Sequence, residues 1–150
     1  NIKGGNYLNN IMALTEARQQ GADDCVILNR EGFVTEASNS NVWFVIRDQL
    51  VTPQSGNLKG LTKKHVHRAL KAAGIASLET DVHANELLDA SECFVTSATR
   101  EVMPCASLTL LDGERLEFPR GGGETCRKVQ AVFSSYIADY IENHTHEMLV

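Results

Sequence analysis

The sequence predicts an α+β domain with a mainly antiparallel or mixed sheet and flanking helices. Three observations point to this class: short apolar runs predict many strands, few segments have helical periodicity, and turn residues join neighbouring strands as hairpins. The strict alternation of strand and helix that marks a doubly wound fold is missing. With 150 residues, 43% of them hydrophobic, the chain can form one domain with a sizeable core.

Helices are predicted where apolar residues recur at spacings of three and four. Residues 7–20 form the first, with Leu8, Ile11 and Met12 on one face and Gly21 as terminator. Residues 62–74 form the second, with Thr62 as candidate N-cap, Gly74 as C-cap, and an apolar stripe of Val66, Ala69, Leu70 and Ala73. Residues 85–88 form a short helical segment, and a third long helix runs from about Cys126 to Ile141.

Strands are predicted from apolar runs that turn residues bound. Residues 25–28 and 33–37 form a hairpin, and residues 42–46, apolar at every position, form a strand covered on both faces. Further strands are predicted at residues 50–52, 76–82, 92–96 and 102–110. Residues 111–123 contain Asp112-Gly113 and three consecutive glycines, which predicts turns and loop leading into the third helix.

Charge and hydropathy argue against several function classes. The net charge is −5 and no basic cluster exceeds Lys63-Lys64, so a nucleic-acid partner is not expected. No apolar run is long enough to cross a bilayer, and no signal-peptide pattern opens the chain, so we expect no membrane association.

Cysteine and histidine spacing argues against disulfides and metals. The cysteines, none spaced as C-x-x-C, are Cys25, Cys93, Cys105 and Cys126, and we expect reduced thiols and a cytoplasmic protein. The histidine pairs 65/67 and 144/146 have a spacing of two, which on a helix points the two rings apart. We therefore expect no metal site.

The beginning of the chain indicates a piece of a longer protein. The sequence does not begin with methionine, and it starts two residues before Lys3, a lysine of chemical interest. Two glycines follow Lys3 and would let the backbone pass close to a bound ring. A free lysine has a pKa of about 10.4 and is most often solvated. Lys3 alone could therefore be either an ordinary solvated lysine or a catalytic one.

Three other segments carry polar groups suited to a charged ligand. Glu36, near a strand end, is either an exposed glutamate or a carboxylate facing a ring nitrogen. Gly60-Leu61-Thr62 precedes a helix, whose unpaired first-turn amides can bind phosphate, although Thr62 could serve simply as an N-cap. Thr96-Ser97-Ala98-Thr99 follows a strand and is either a second anion seat or an ordinary loop.

Taken in order, these segments resemble the fold-type IV pyridoxal-phosphate enzymes, which include D-amino-acid and branched-chain aminotransferases and aminodeoxychorismate lyases. The resemblance covers residues 2 to about 140 and corresponds to the larger C-terminal domain of that family. It implies that residues 1–150 are a cofactor-binding domain and that the family's smaller N-terminal domain is absent from this chain.

The resemblance also implies roles for individual residues. Lys3 holds pyridoxal 5'-phosphate covalently and moves the substrate α-proton, and Glu36 is the partner of the pyridine nitrogen. The other implied cofactor contacts are Tyr7 at the phenolic oxygen, Ser38 and Asn39 beside the ring, Leu61 and Thr62 at the phosphate, and Ser97 and Ala98 at a second phosphate-binding turn. Two positions depart from the family: Ala98 replaces a usual threonine, and Arg100 stands where a small residue is common.

The function that follows is transfer of an amino group between an amino acid, either a D-amino acid or a branched-chain L-amino acid, and a 2-oxo acid. Two alternatives stay open: a lyase that eliminates pyruvate from aminodeoxychorismate, and a non-catalytic domain that keeps only the fold. The resemblance further implies a homodimer.

Overall fold

The computed structural model describes residues 4–54, 56, 57 and 60–148, with side chains for residues 8–54, 56, 57 and 60–144. Three α-helices, one 3₁₀ helix and nine strands form over these residues. In chain order they are α1 Gly4–Gln19, β1 Val26–Leu28, β2 Val34–Ala37, β3 Asn41–Ile46, β4 Gln49–Thr52, α2 Leu61–Ala72, β5 Leu78–Glu79, the 3₁₀ helix Ala84–Asp89, β6 Ala90–Ser97, β7 Glu101–Pro104, β8 Ser107–Thr109, β9 Arg115–Glu117 and α3 Glu124–Met148.

The main sheet has five strands in the order β5-β4-β3-β6-β7. All neighbours are antiparallel except β4 and β5, which are parallel, so the predicted α+β class with a mixed sheet is confirmed. Arg47 and Asp48 join β3 to β4 with φ of 51° and 64°, the left-handed conformation that suits a two-residue hairpin turn.

Two antiparallel hairpins, β1–β2 and β8–β9, stand beside this sheet. The first confirms the hairpin predicted from residues 25–37. The second contains Arg115–Glu117, so the prediction of turns and loop throughout residues 111–123 was wrong for that segment. Its strand escaped detection because it is short, and Leu116 is its one apolar residue.

Strand β3 lies at the centre of the fold and is buried at every position, as predicted. Because successive side chains point to opposite faces of a sheet, its residues divide between two cores. Val42, Phe44 and Ile46 pack in the core beneath the hairpins, and Trp43 and Val45 pack in the core beneath α2 and α3.

Helix α2 buries Val66, Ala69 and Leu70, which confirms most of its predicted stripe. Ala73 was wrongly included: it is exposed, because the helix ends at Ala72 and Ala73 is the C-cap. Gly74, the predicted C-cap, lies one residue beyond the actual cap and has a φ of +73°. The strand predicted at residues 76–82 is confined to Leu78–Glu79.

Helix α3 begins where a carboxylate from the sheet meets its first amides. Glu92 of β6 is buried, and its Oε2 and Oε1 accept hydrogen bonds from the amides of Thr125 at 3.1 Å and Cys126 at 2.8 Å. A negative charge is favourable at this end of a helix. A Cβ on Gly123 would overlap Glu92 Cδ, so any larger residue at this position forces the Glu92 side chain to move.

We predict that Gly123→Ala lowers the free energy of unfolding by about 1–3 kcal/mol, because the added methyl forces the buried Glu92 side chain to move. Chemical denaturation measures the effect. In a Glu92→Ala background the same substitution should cost clearly less, since the obstructing carboxylate is gone. An equal cost in both backgrounds would contradict the proposed clash.

Candidate functional site

The structure describes only part of the residue set that the sequence singled out. Lys3 lies outside the described residues, and Tyr7 is described only as backbone within α1. The remaining candidates lie in three segments: Glu36, Ser38 and Asn39 at the end of β2 and in the turn after it, Leu61 and Thr62 in the first turn of α2, and Ser97 and Ala98 at the end of β6.

Asn41 brings these three segments together at one edge of the main sheet. It begins β3, four residues after β2 ends, and pairs in register with Thr96, the residue before Ser97. Its Oδ1 also lies so close to Gly60, the residue before Leu61, that a Cβ there would be 2.5 Å away. The polar segments found separately in the sequence are therefore spatial neighbours.

Glu36 is held by a side chain from the first helix. Asn10 of α1 donates through Nδ2 to Glu36 Oε2 at 2.8 Å and to the backbone oxygen of Ser38 at 3.2 Å. The half-buried carboxylate is thus fixed against both α1 and the following turn. Sequence reasoning missed Asn10, although its place in the Asn-rich opening of the helix was visible.

The turn after β2 presents its polar residues unequally. Ser38 is buried and Asn39 is exposed. The Ala37 amide donates to the backbone oxygen of Ser40 at 2.9 Å, which closes the turn. Ser40 is buried, and its hydroxyl has no hydrogen-bond partner among the residues the structure describes. The turn therefore buries its two serines and exposes Asn39.

The start of α2 leaves its first amides without a side-chain cap. Gly60 is the N-cap, with φ −64° and ψ 142°, and within the described part of the chain no side chain caps the first turn. The predicted Thr62 N-cap was wrong, because the helix begins at Leu61 and places Thr62 inside the first turn, where it is half-buried. Such a terminus offers several N–H donors and a positive dipole to an anion.

Lys63 fixes this helix start from beneath. Its side chain is almost fully buried, and Nζ donates to Pro53 O at 2.8 Å and to Asn57 Oδ1 at 3.3 Å. Nζ also lies 3.3 Å from Glu79 Oε1 of β5. A buried ammonium needs such partners, and here they bind the helix start to the loop before it and to the sheet. The sequence indicated only a basic pair at this position.

The β6–β7 turn places a hydroxyl and exposed backbone at the same edge. The Arg100 amide donates to Ser97 Oγ at 3.1 Å, while Ala98 and Thr99 are exposed. Just beneath, Trp43 Nε1 donates to the buried Thr96 Oγ1 at 3.0 Å. This bond anchors the end of β6 in the core.

Asp24 joins two of the segments. Its Oδ1 accepts from Ser38 Oγ at 2.6 Å and from the Cys25 amide at 2.7 Å, and its Oδ2 lies 2.6 Å from Arg100 Nη1. Burial by itself raises the pKa of this carboxyl, but the hydrogen bonds from Ser38, Cys25 and Arg100 outweigh it and leave the pKa below the ordinary value. No local sequence pattern indicated this contact.

The thiols and potential metal ligands of the described residues form no metal site. All four cysteines are free, and both a hydrogen bond with Cys105 and burial raise the pKa of Cys93 well above its ordinary value. Among the described residues, no group of three or more His, Cys, Asp or Glu side chains is placed to hold a metal ion. Within the same residues, no helix has the length and apolarity that a bilayer crossing requires.

Comparison with known families gives a match over most of the chain. A sequence model of the family described as Amino-transferase class IV matches residues 1–108. The chain is 31% identical over 134 residues to a putative branched-chain-amino-acid aminotransferase of Methanocaldococcus jannaschii, covering 88% of this chain and 45% of that protein. It is 33% identical over 117 residues to a D-alanine aminotransferase of Bacillus licheniformis, covering 77% and 40%. The chain thus spans less than half the length of these relatives.

Solved structures agree in fold. The branched-chain amino acid aminotransferase of Escherichia coli superposes with a TM-score of 0.77 at 28% identity, over 88% of this chain and 44% of that one. The branched-chain aminotransferase of the archaeon Thermoproteus uzoniensis, solved with norvaline, gives 0.71 at 35% identity, over 87% and 41%. A Brucella abortus aminotransferase bound to the cofactor PLP gives 0.74 at 26% identity, over 87% and 45%.

We predict that Asp24→Asn lowers the free energy of unfolding by about 1–3 kcal/mol at pH 7, because it removes hydrogen bonds to a charged group. The pKa of Asp24 is lowered in the folded chain, so its contribution is fully present above the unfolded-state pKa of about 3.9 and is lost as pH falls through the folded-state value. Denaturation of both proteins from pH 7 to pH 3 should show the difference shrinking.

The exposed neighbour Asp23 supplies a matched control. Asp23→Asn should change the free energy of unfolding by no more than about 0.5 kcal/mol across the same pH range. A cost of Asp24→Asn that stays constant down to pH 3 would contradict an ionised, paired Asp24.

Proposed function

The chain belongs to the class IV aminotransferases, and we propose that residues 1–150 are the pyridoxal-phosphate-binding C-terminal domain of such an enzyme. The observation that carries the proposal is the convergence of Glu36, the open start of α2 and the β6–β7 turn around Asn41. Glu36 supplies a carboxylate, and the other two segments supply N–H and O–H donors, which are the groups that the ring nitrogen and the phosphate of this cofactor require.

The phosphate would be held by two backbone segments. The uncapped first-turn amides of Leu61 and Thr62, with the Thr62 hydroxyl, can donate to phosphate oxygens, and the dipole of α2 favours negative charge there. Ser97 and Ala98 would supply the second set, with Ala98 contributing its backbone amide alone. The donor chemistry of both segments suits a dianion.

The ring would be held by residues of α1, of β2 and of the turn after β2. Glu36 would accept a hydrogen bond from the protonated pyridine nitrogen, in the orientation that Asn10 gives its carboxylate. Carboxylates accept several hydrogen bonds, so the bond from Asn10 is compatible with this role. Tyr7 would donate to the phenolic oxygen, and Ser38 and Asn39 would border the ring.

When bound, the cofactor supplies an electron sink for the bond broken at the substrate Cα. The amine of Lys3 would bind the cofactor covalently in the resting enzyme. Once the substrate's amino group has displaced it, the free amine of Lys3 would act first as general base and then as general acid. It would take the proton from the substrate Cα and deliver it to C4′ of the cofactor. Glu36 would keep the ring nitrogen protonated throughout, since a carboxylate nearby favours the charged form.

The proposed substrates are an amino acid and a 2-oxo acid, the former being a branched-chain L-amino acid or a D-amino acid. The names of the relatives described above, branched-chain and D-alanine aminotransferases, support this class. They favour transamination over elimination from aminodeoxychorismate. Formation of 2-oxo acid from L-leucine or D-alanine by the complete enzyme would decide between the two, and release of aminobenzoate instead would sink the proposal.

We also propose a cytoplasmic homodimer. The free thiols support a reducing compartment, and the exposed Leu8, Ile11 and Met12 of α1 offer an apolar surface for a second copy. A sedimentation mass of one chain at micromolar concentration would contradict the dimer, and recovery from an oxidising cell compartment would contradict the location.

We predict that borohydride reduction of the chain with pyridoxal phosphate attaches the cofactor to Lys3 at a stoichiometry near one. Peptide mass mapping locates the label, and fragmentation distinguishes Lys3 from a free α-amino group, which with an ordinary pKa of about 7.7–8.0 can also react. Lys3→Ala should remove the label.

Lys128→Ala, which removes an exposed lysine of α3, is the control and should leave labelling unchanged. Label spread over exposed lysines, or confined to the α-amino group, would count against Lys3 as the cofactor lysine.

A further inference from the structure

The Asp24 carboxylate lies between two parts of the site that are far apart in sequence. One oxygen receives the Ser38 hydroxyl at 2.6 Å and, more weakly, the Ser38 amide at 3.4 Å. The other receives Arg100 Nη1 at 2.6 Å. Asp24, which lies in the loop between α1 and β1, therefore connects the turn that follows Glu36 with the turn that follows Ser97.

Arg100 is the last residue of the turn between β6 and β7. The Arg100 amide donates to Ser97 Oγ, so the same residue holds Ser97 through its backbone and Asp24 through its side chain. The next residue, Glu101, has φ of +53°, a left-handed conformation that non-glycine residues adopt at a cost. A strained turn of this kind keeps its shape only when surrounding contacts determine it.

The contact between Asp24 and Arg100 is partly shielded from solvent. The Arg100 and Asp24 side chains are 29% and 19% exposed, so the pair is better shielded from solvent than a surface salt bridge. Removing one partner leaves the other poorly solvated and without its main counter-charge. The thiol of Cys105 lies near this pair. A hydrogen bond with Cys93 has the largest effect on its pKa and lowers it, and among the smaller effects Asp24 raises the pKa and Arg100 lowers it.

We propose that Asp24 and Arg100 are positioning residues that set the second phosphate-binding turn at a fixed distance from the strand carrying Glu36. They act through Ser97, Ala98 and Ser38 rather than by touching the cofactor. This role rests on the proposed function, because it assigns the Ser97–Ala98 turn to phosphate.

The first test needs no cofactor. Amide hydrogen exchange of the chain should show residues 97–101 exchanging about tenfold faster in Asp24→Asn and in Arg100→Gln than the loss of global stability, read from the centre of β6, accounts for, because local opening becomes easier. Arg100→Lys keeps a charge that can reach Asp24 and should restore most of the protection. An increase in exchange at residues 97–101 no larger than the increase at the centre of β6 would reduce the pair to a general stability element and overturn the proposal.

The second test separates positioning from phosphate binding itself. The ratio of dissociation constants for pyridoxal and pyridoxal phosphate reports how much the phosphate contributes. In Asp24→Asn this ratio should fall about tenfold, with the affinity for pyridoxal unchanged, because only the phosphate contacts are displaced. Ser40→Ala, which removes a hydroxyl without a described partner in the turn after β2, is the control and should keep the wild-type ratio.

The outcomes distinguish the two proposals. A wild-type chain that prefers pyridoxal phosphate, with an unchanged ratio in Asp24→Asn, overturns the positioning role and leaves the proposed function standing. A wild-type chain with no preference for the phosphorylated form overturns the phosphate-site assignment, and with it the role given to Asp24 and Arg100.

Discussion

The pairing of β3 with β6 is the constraint on which the candidate site depends. Because Asn41 lies opposite Thr96, the turn after β2 and the turn after β6 emerge side by side. Asn41 also packs against Gly60, which brings the start of α2 to the same edge. A shift of this register by one residue would exchange the two faces of β3 and separate these segments.

Burial on both faces makes that register firm. Trp43, Phe44 and Phe94 are fully buried, and truncating a buried aromatic residue to alanine typically costs about 3–5 kcal/mol. Buried polar groups next to the core then fix the edge where the segments meet: Thr96 accepts from Trp43, and Lys63 holds the helix start. The core therefore sets the distance between the segments, and these bonds set their orientation.

The sequence was most informative where chemistry follows local pattern. Alternating or continuous apolar runs predicted β3 and β6, helical spacing predicted α2 and α3, and polar residues at element ends made Glu36, Thr62 and Ser97 candidates for the site. It could not reveal Asp24 or Asn10, because their contacts, Asp24–Arg100 and Asn10–Glu36, join residues 76 and 26 positions apart. The N-cap assigned to Thr62 failed because a glycine can occupy that position without a side-chain bond. Lys3, the centre of the proposed chemistry, lies outside the described residues.

The most direct test of the shared site is amide chemical-shift mapping of the ¹⁵N-labelled chain during titration with pyridoxal phosphate. If the start of α2 and the β6–β7 turn hold one phosphate, the amides of Leu61, Thr62, Ser97 and Ala98 should shift together and follow a single dissociation constant. Shifts confined to one segment, or two segments saturating at different concentrations, would show that they do not form one phosphate site.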